Sequence, residues 1–199
     1  MRRLRRIPGV KKVFVAYGIR YDMLLADAQH GKEYLKEIVA HHVSGQLKIA
    51  PEHSEEHVLA KMGKPGRADL IKFKQLFDDY SAEEHKNQFL TYYLIAAHPG
   101  CSEADMRRLK QFASQELHIS PEQVQIFTPS PSTYSSLMYY TGLDPFSRQP
   151  LFVEKDIARR ERQKQVVVEK PEAAPLYARG QHREPPGRRK PRPFQVKKP

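Results

Sequence analysis

The sequence predicts an α/β protein in which a parallel sheet is covered by helices. Between Lys11 and Thr128, short β-branched and aromatic runs alternate with longer stretches of helical periodicity. Four such strand-then-helix units follow one another, an order typical of parallel sheets with right-handed crossovers. Polar residues stand beside Gly or Pro just after each predicted strand. A barrel and an open doubly wound sheet both fit this order.

The first two units lie before residue 63. The first predicted strand is 12–16 (KVFVA), and helical spacing of apolar side chains predicts a helix over 32–43, which Gly45 ends. The second predicted strand is 46–50 (QLKIA). A helix over 54–62 follows, with a serine as its N-cap and acidic residues in its first turn.

The next two units complete the predicted sheet. Helical spacing over 70–77 precedes the longest apolar run, 89–97 (FLTYYLIAA), whose aromatic and β-branched residues favour a buried strand. A capping box at 102–105 predicts a helix reaching about residue 117. The fourth predicted strand is 123–127 (QVQIF), and a short helix is predicted over 132–140.

The positive charge lies at the two ends of the chain. The whole sequence has 34 Lys and Arg against 23 Asp and Glu, a net charge of +11. Residues 1–12 contain six basic and no acidic side chains, and 151–199 contain 14 basic and six acidic ones, so 13–150 carry a net −3. The high pI therefore belongs to the ends and does not indicate a general nucleic-acid-binding fold.

Two segments near the C-terminus differ in composition from the rest. Residues 154–170 are predicted to form a surface extension, either a short helix or a strand. Residues 171–199 contain seven prolines and few aliphatic residues, so they cannot bury enough apolar surface to offset the entropy of ordering. We therefore predict a disordered basic tail. A solvated tail is preferred over nucleic-acid binding, because Phe194 is its one aromatic residue placed for base stacking beside the basic cluster.

Composition also excludes several protein classes. No apolar run approaches the roughly 18 residues of a membrane-spanning helix. The single cysteine cannot form an intramolecular disulfide, and no charged segment is followed by the apolar core of a signal peptide. We therefore expect a cytoplasmic protein without a membrane partner.

The residues after each strand are candidates for binding, because ligands of parallel α/β proteins lie beyond the carboxyl ends of the strands. The four strand ends are Gly18-Ile19-Arg20-Tyr21-Asp22, Pro51-Glu52-His53, His98-Pro99-Gly100-Cys101 and Thr128-Pro129-Ser130-Pro131. Together they predict one rim lined by ligand-binding groups. Ordinary turn chemistry is the alternative explanation, since turns also need Gly and Pro.

Lys48 falls inside a predicted strand. A buried ammonium is costly unless it is paired. Lys48 therefore faces a polar interior or pairs with a carboxylate such as Glu52, unless the strand lies at an edge and Lys48 faces water.

The histidines and the cysteine give weaker signals. His53 and His57 are four residues apart, but no cysteine or carboxylate stands at a spacing typical of structural zinc, so no metal ligand is predicted. Cys101 precedes a predicted helix, which would lower the pKa of its thiol, or it is simply a small residue in a tight turn.

Four long blocks, in order, carry a resemblance to a known family. They are KKVFVAYGIRYDMLLAD, HHVSGQLKIAPEHSEEHVLAKMGKP, FLTYYLIAAHPGCSEADM and EQVQIFTPSPSTYSSLMYYTGLDP. Their order, intervals and rare strings such as GIRYD, KIAPEH and AAHPG resemble the YgiQ-type radical SAM proteins, an uncharacterised protein family. The resemblance covers about residues 4–153.

The resemblance implies a large cytoplasmic protein with a partial (β/α)6 barrel, S-adenosylmethionine and a 4Fe-4S cluster. In that family three cysteines in a C-x-x-x-C-x-x-C motif hold the cluster, and this sequence lacks them. Residues 1–12 would be the basic end of a helix before the first strand, and 13–153 would be a partial barrel of about four parallel strands. The chain would therefore be the C-terminal part of the barrel, without the cluster-binding segment.

The resemblance also implies roles for the rim residues. The substrate-facing set is Arg20, Tyr21 and Asp22. The cofactor-binding set is Lys48, Glu52, His53, His98, Gly100, Thr128 and Ser130.

Three functional hypotheses follow. The first is a fragment of a YgiQ-like iron-sulfur protein that is inactive alone, because reductive cleavage of S-adenosylmethionine needs an iron site with an open position. It would pair with a chain that carries the missing strands, or self-associate. The second is a self-sufficient α/β binding module that uses its basic tail on nucleic acid. The third is a non-radical enzyme in which Glu52, His53 and Cys101 converge.

Overall fold

The computed structural model describes residues 1–16 and 18–168 of this chain. The fold is mixed α/β, and the tail predicted over 171–199 lies outside the described residues. Within the described part, no helix is long and apolar enough to cross a membrane. The elements in chain order are α1 (Arg2–Arg5), α2 (Tyr21–Ala26), α3 (Gly31–His41), β1 (Gln46–Glu52), α4 (Glu56–Met62), α5 (Arg67–Glu83), β2 (Phe89–Ala96), α6 (Glu103–Gln115), β3 (Gln125–Ile126), α7 (Tyr134–Thr141) and α8 (Ile157–Val168).

The sheet is parallel, with the strand order β1-β2-β3. Leu47 of β1 is opposite Leu90 of β2, and the register shifts at an irregularity after Ile49. Ala96 at the end of β2 is opposite Ile126 of β3. The second, third and fourth predicted strands are therefore confirmed as parallel neighbours in sequence order, with β1 at one edge of the described sheet.

The first predicted strand, 12–16, is wrong. The carbonyl of Val13 accepts a hydrogen bond from Nδ1 of the buried His42 at 2.6 Å, and the amide of Val15 donates to the His42 carbonyl at 2.9 Å. These backbone groups bond to the end of α3 instead of to a neighbouring strand. At Gly18 an added Cβ would lie 3.0 Å from the Lys48 carbonyl, so the segment runs beside β1 without joining it. In the described part the sheet has three strands rather than four.

Helices cover one face of the sheet. Leu47 and Ile49 of β1 and Leu90 of β2 are buried in a first apolar cluster with side chains of α3, α5 and α6. Leu94 and Ala96 enter a second cluster with side chains of α4, α6 and α8. Burying one such leucine or isoleucine stabilises the fold by about 1.5–3 kcal/mol, so alternate residues of β1 and β2 hold the sheet to its helices.

The opposite face of the sheet has no helical cover within the described residues. Lys48 is exposed, and Thr91, Tyr93 and Ile95 are each partly exposed. The ammonium of Lys48 lies 5.2 Å from the centre of the Tyr93 ring, which places both side chains on this face. Lys48 therefore lies on an edge strand and faces outward, as one of the two sequence interpretations stated.

Helix boundaries follow the sequence signals in part. The capping box of α6 is confirmed, because Ser102 Oγ accepts from the Asp105 amide while the Asp105 carboxylate accepts from the Ser102 amide. The predicted serine cap of α4 is wrong: the N-cap is Glu55, and the Ser54 hydroxyl is 3.4 Å from the Glu55 carboxylate. A serine starts a helix only when its hydroxyl can reach the first free amides.

Two helices were not expected in their observed form. Helix α2 occupies a segment predicted as loop. It packs so closely against the start of α3 that a Cβ added at Gly31 would lie 2.0 Å from the Leu24 carbonyl oxygen. Residues 154–170 were expected as a surface extension, but Gln163, Val166 and Val167 of α8 are buried in the fold. Helix α8 is thus part of the core.

Candidate functional site

The ends of β1 and β2 bring His53 and Cys101 together. Nε2 of His53 lies 3.4 Å from Sγ of Cys101. The Glu55 amide donates to Nδ1 of His53 at 3.1 Å, so the ring proton is on Nε2 and points at the sulfur. Both side chains are buried.

Burial keeps both members of this pair uncharged. It lowers the pKa of His53 to about 4 and raises the pKa of Cys101 to about 12. Glu52 does not join them, because its carboxylate pairs with the Lys64 ammonium at 2.7 Å. A buried thiol beside a neutral imidazole is not an activated nucleophile, so this geometry does not support the non-radical enzyme.

Gln163 of α8 connects the segment after β2 to the helical layer. Its side-chain carbonyl accepts from the Ala97 amide at 3.0 Å, and its amide nitrogen donates to the Cys101 carbonyl at 3.3 Å. Sequence reasoning missed this residue. Its spacing of three and four residues from Val166 and Val167 is the helical signal that could have revealed its inward position.

His98 is held at the end of β2. Its Nδ1 donates to the Pro99 carbonyl at 2.8 Å, and its Nε2 accepts from the Ser135 hydroxyl at 2.8 Å. The ring packs edge-on against Phe127 with centres 5.0 Å apart. Burial lowers the pKa of His98 to about 4. Ser135 was not predicted, and it joins α7 to the strand end.

Gly100, Thr128 and Ser130 mainly shape the turns of this rim. Gly100 has a φ of 87°, and its amide donates to the Phe152 carbonyl at 2.7 Å. Thr128 is exposed, and its hydroxyl is 3.4 Å from the Ile126 carbonyl. The carbonyl of the exposed Ser130 accepts from the hydroxyls at the start of α7.

Arg20, Tyr21 and Asp22 lie apart from these groups. The exposed Arg20 forms an ion pair with Asp22 at 2.6 Å, which lowers the pKa of that carboxyl. Tyr21 does not lie in the substrate-facing position that the resemblance implied. It is buried, and its ring centre lies 5.6 Å from that of Phe73 in the core. Its position on α2 turns it into the apolar layer rather than toward a cavity.

A second polar cluster lies between the starts of α4 and α6. Ligand atoms of Glu55, His57 and Asp105 all lie within 4.8 Å of one another, a set that could hold a metal ion. His57 Nε2 is 3.2 Å from the Asp105 carboxylate. The guanidinium of Arg108 bonds to both carboxylates, at 2.5 Å from that of Glu55. The arginine thus supplies the positive charge at this position.

Comparison with known proteins identifies the relatives of this chain. A UPF0313 protein of Fusobacterium nucleatum is 59% identical over 170 residues, which is 85% of this chain. A UPF0313 protein of Methanosarcina acetivorans is 46% identical over 156 residues, and one of Clostridium perfringens is 43% identical over 155 residues, each 78% of this chain. This chain belongs to the UPF0313 family, the YgiQ-type proteins.

The UPF0313 relatives are much longer than the matched region. The alignments cover 30%, 20% and 23% of the Fusobacterium, Methanosarcina and Clostridium proteins, respectively. No protein-family model matches the chain. The family resemblance read from the four sequence blocks is thus confirmed, and it extends over one part of the relatives.

Proposed function

We propose that this chain supplies the cofactor- and substrate-facing strands of a radical SAM barrel and that catalysis needs a second segment carrying the cluster. The observation that carries the proposal is the one-sided sheet. Helices pack on one face of β1 and β2, while the face with Lys48, Thr91 and Tyr93 has no cover within the described residues. In a closed barrel the face opposite the helices is the interior.

The uncovered face offers suitable chemistry for S-adenosylmethionine. Lys48 supplies an ammonium for a carboxylate, and Thr91 and Tyr93 supply hydroxyls for ribose or amino groups. Lys48 forms no ion pair with a described residue, and its ammonium lies 5.2 Å from the centre of the Tyr93 ring. We therefore place the amino-acid and ribose parts of S-adenosylmethionine on this face and the substrate toward the strand ends.

The residues of this chain do not fit a 4Fe-4S cluster. Such a cluster needs several cysteine thiolates, and the sequence has one cysteine. Cys101 is buried between His53 and Gln163, with a raised pKa. We therefore assign no chemical step to the cluster in this chain.

The uncovered sheet face also indicates which partner this chain would bind. The uncovered sheet face and the side of β1 beside which Gly18 lies are the places where the remaining strands of a barrel would pack. We propose that a segment equivalent to the rest of a UPF0313 protein occupies them, and that self-association occurs without it. A cytoplasmic location fits this proposal, because iron-sulfur chemistry and a free thiol both suit a reducing compartment.

The test is reconstitution under anaerobic conditions. This chain is co-expressed with the part of the Fusobacterium relative that lies outside the aligned 170 residues. Iron content and formation of 5′-deoxyadenosine from S-adenosylmethionine are then measured in the purified pair and in each chain alone. We expect both signals in the pair only.

A matched pair of variants links the result to the sheet face. Lys48→Met should weaken S-adenosylmethionine binding to the pair, whereas Lys72→Met, at an exposed position on α5, should leave it unchanged. If this chain purifies as a monodisperse monomer that forms no complex and binds no apolar dye, the proposal is overturned.

A further inference from the structure

The first 12 residues form the most concentrated positive charge in the described part. They contain six cationic side chains. Glu37 on α3 pairs with Arg2 at 2.9 Å and with Arg5 at 3.2 Å, and Glu33 of the same helix lines a concavity together with Arg2 and Arg3. Four of these six side chains form no ion pair with a described residue: Arg3, Arg6, Lys11 and Lys12. Two carboxylates therefore lie beside a segment that contains six cations.

Acidic residues balance the cations elsewhere, since residues 13–150 carry a net charge of −3, and several of these cations are paired. Lys64 pairs with Glu52 at 2.7 Å, and Lys74 pairs with Asp78 at 2.6 Å. Arg108 is shared between two carboxylates. The excess at residues 1–12 is thus a local property rather than the general state of the surface.

These cations line a run of adjoining concavities. One of about 410 Å³ is bordered by Lys11, Lys12 and Phe14, and it shares Arg5 with a second of about 270 Å³. The second shares Arg2 with a third of about 440 Å³, which reaches Tyr34. We call this run the basic groove and define it by Arg2, Arg3, Arg5, Arg6, Lys11 and Lys12.

An exposed aromatic ring stands at each end of the basic groove. Phe14 is 44% exposed, and the ammonium of Lys12 lies 5.9 Å from its ring centre. Tyr34 is 48% exposed on α3 at the other end. Phe14 is kept in place because the neighbouring Val13 and Val15 bond to His42.

We propose that the basic groove binds a single strand of nucleic acid. A row of cations tracks the phosphates, and exposed aromatic rings stack on bases, which is the chemistry that single-stranded nucleic acids require. A flat anionic surface such as a membrane would not use rings placed at the two ends of a concave groove. The residues of the basic groove are not those of the sheet face in the proposed function.

The test measures binding of fluorescein-labelled single-stranded RNA and DNA by anisotropy over a range of salt concentrations, using the full chain. Lys11→Gln with Lys12→Gln should weaken binding about tenfold at low salt and reduce the slope of log affinity against log salt by about 1.4. Phe14→Ala should weaken binding about fivefold with the slope unchanged, because it removes stacking and no charge.

Two further variants separate the basic groove from other positive charge. Lys72→Gln with Arg148→Gln removes the same charge from exposed positions outside the groove and should change affinity less than about twofold. A tail variant, Arg188→Gln with Arg189→Gln and Lys190→Gln, should have a similarly small effect. The proposal is overturned if the groove variant weakens binding no more than the Lys72 control, or if the tail variant alone abolishes it.

Competition experiments identify the class of ligand that the basic groove binds. Inorganic phosphate and a mononucleotide should compete far more weakly than an unlabelled oligonucleotide, because they reach only part of the groove. If phosphatidylserine vesicles bind with the same dependence on Lys11 and Lys12 while oligonucleotides do not bind, the ligand is a membrane surface and the proposal is wrong.

Discussion

The imidazole of His53 and the thiol of Cys101 are close enough to interact, yet burial holds both in their uncharged forms. A cysteine just before a helix often has a lowered pKa, since the helix end favours the thiolate. Here burial away from water, and after it the carboxylate of Asp105, raise the pKa of the thiol and oppose that effect. The environment of a single residue therefore reverses the reactivity that its sequence position allows.

Native Cys101 should react slowly with thiol reagents. At pH 8 a thiol with a pKa near 12 is almost entirely protonated, so labelling by a disulfide reagent should be more than about a hundredfold slower than in the urea-unfolded chain. The rate of absorbance change on reagent addition checks this. A native rate equal to the unfolded rate would contradict the buried, neutral pair.

The two buried histidines should make stability depend on pH. His53 and His98 have pKa values near 4 in the folded chain, below the usual 6.5. The unfolded state therefore binds more protons between these values, so stability is fully present above about pH 6.5 and falls as the pH drops toward 4. Each histidine should cost on the order of 2 kcal/mol at pH 4.5.

Urea unfolding at pH 7 and pH 4.5 measures this effect. His98→Gln should reduce the difference in unfolding free energy between the two pH values by about half. His30→Gln, at an exposed position, should leave that difference unchanged. A stability that is flat between pH 7 and pH 4.5 would rule out the neutral burial of both rings.

At the scale of elements, α8 holds the segment that follows β2 by side-chain hydrogen bonds. Gln163 satisfies the Ala97 amide and the Cys101 carbonyl, two backbone groups that the end of β2 leaves without a ladder partner. A buried polar backbone group without a partner costs about 1–3 kcal/mol. The helix therefore contributes by hydrogen bonding as well as by the burial of Val166 and Val167.

Gln163→Ala should destabilise the fold by about 2–4 kcal/mol, because it leaves two buried backbone groups unpaired and opens a cavity. Gln165→Ala is the matched control, since Gln165 is an exposed residue of the same helix bonded to Glu161. It should cost less than about 0.5 kcal/mol. Chemical denaturation followed by circular dichroism compares the two, and equal effects would show that the Gln163 bonds contribute little.

At the scale of the whole molecule, the sheet has one packed and one uncovered face. Leu94 and Ile95 are adjacent on β2 and point to opposite faces, Leu94 into the second apolar cluster and Ile95 outward. An uncovered face with apolar and aromatic side chains promotes self-association. Substitutions of Leu94 and Ile95 test whether the two faces differ in this way.

Leu94→Gln should unfold the chain or cost about 3 kcal/mol or more, because it buries an amide in the core. Ile95→Gln should cost less than about 1 kcal/mol and reduce both apolar-dye fluorescence and the apparent mass in light scattering. A large loss of stability in Ile95→Gln would instead show that this face is packed in solution.

The sequence by itself determined the order of the three strands and the family. Hydrophobic periodicity located the strands 46–50, 89–97 and 123–127 within a few residues, and the capping box set the start of α6, because these signals are local. The four colinear blocks predicted the UPF0313 relatives. The strand ends likewise indicated His53, His98 and Cys101 as residues of one rim.

Tertiary structure alone decided how those residues are used. The run 12–16 has strong strand propensity, but His42 takes its backbone hydrogen bonds, a contact 29 residues distant in sequence. The hydrogen bonds of Gln163 and the neutral state of Cys101 depend on partners 62 and 48 residues away. Local patterns specify periodicity and caps, whereas hydrogen-bond competition and burial are set by long-range packing, which no local pattern encodes.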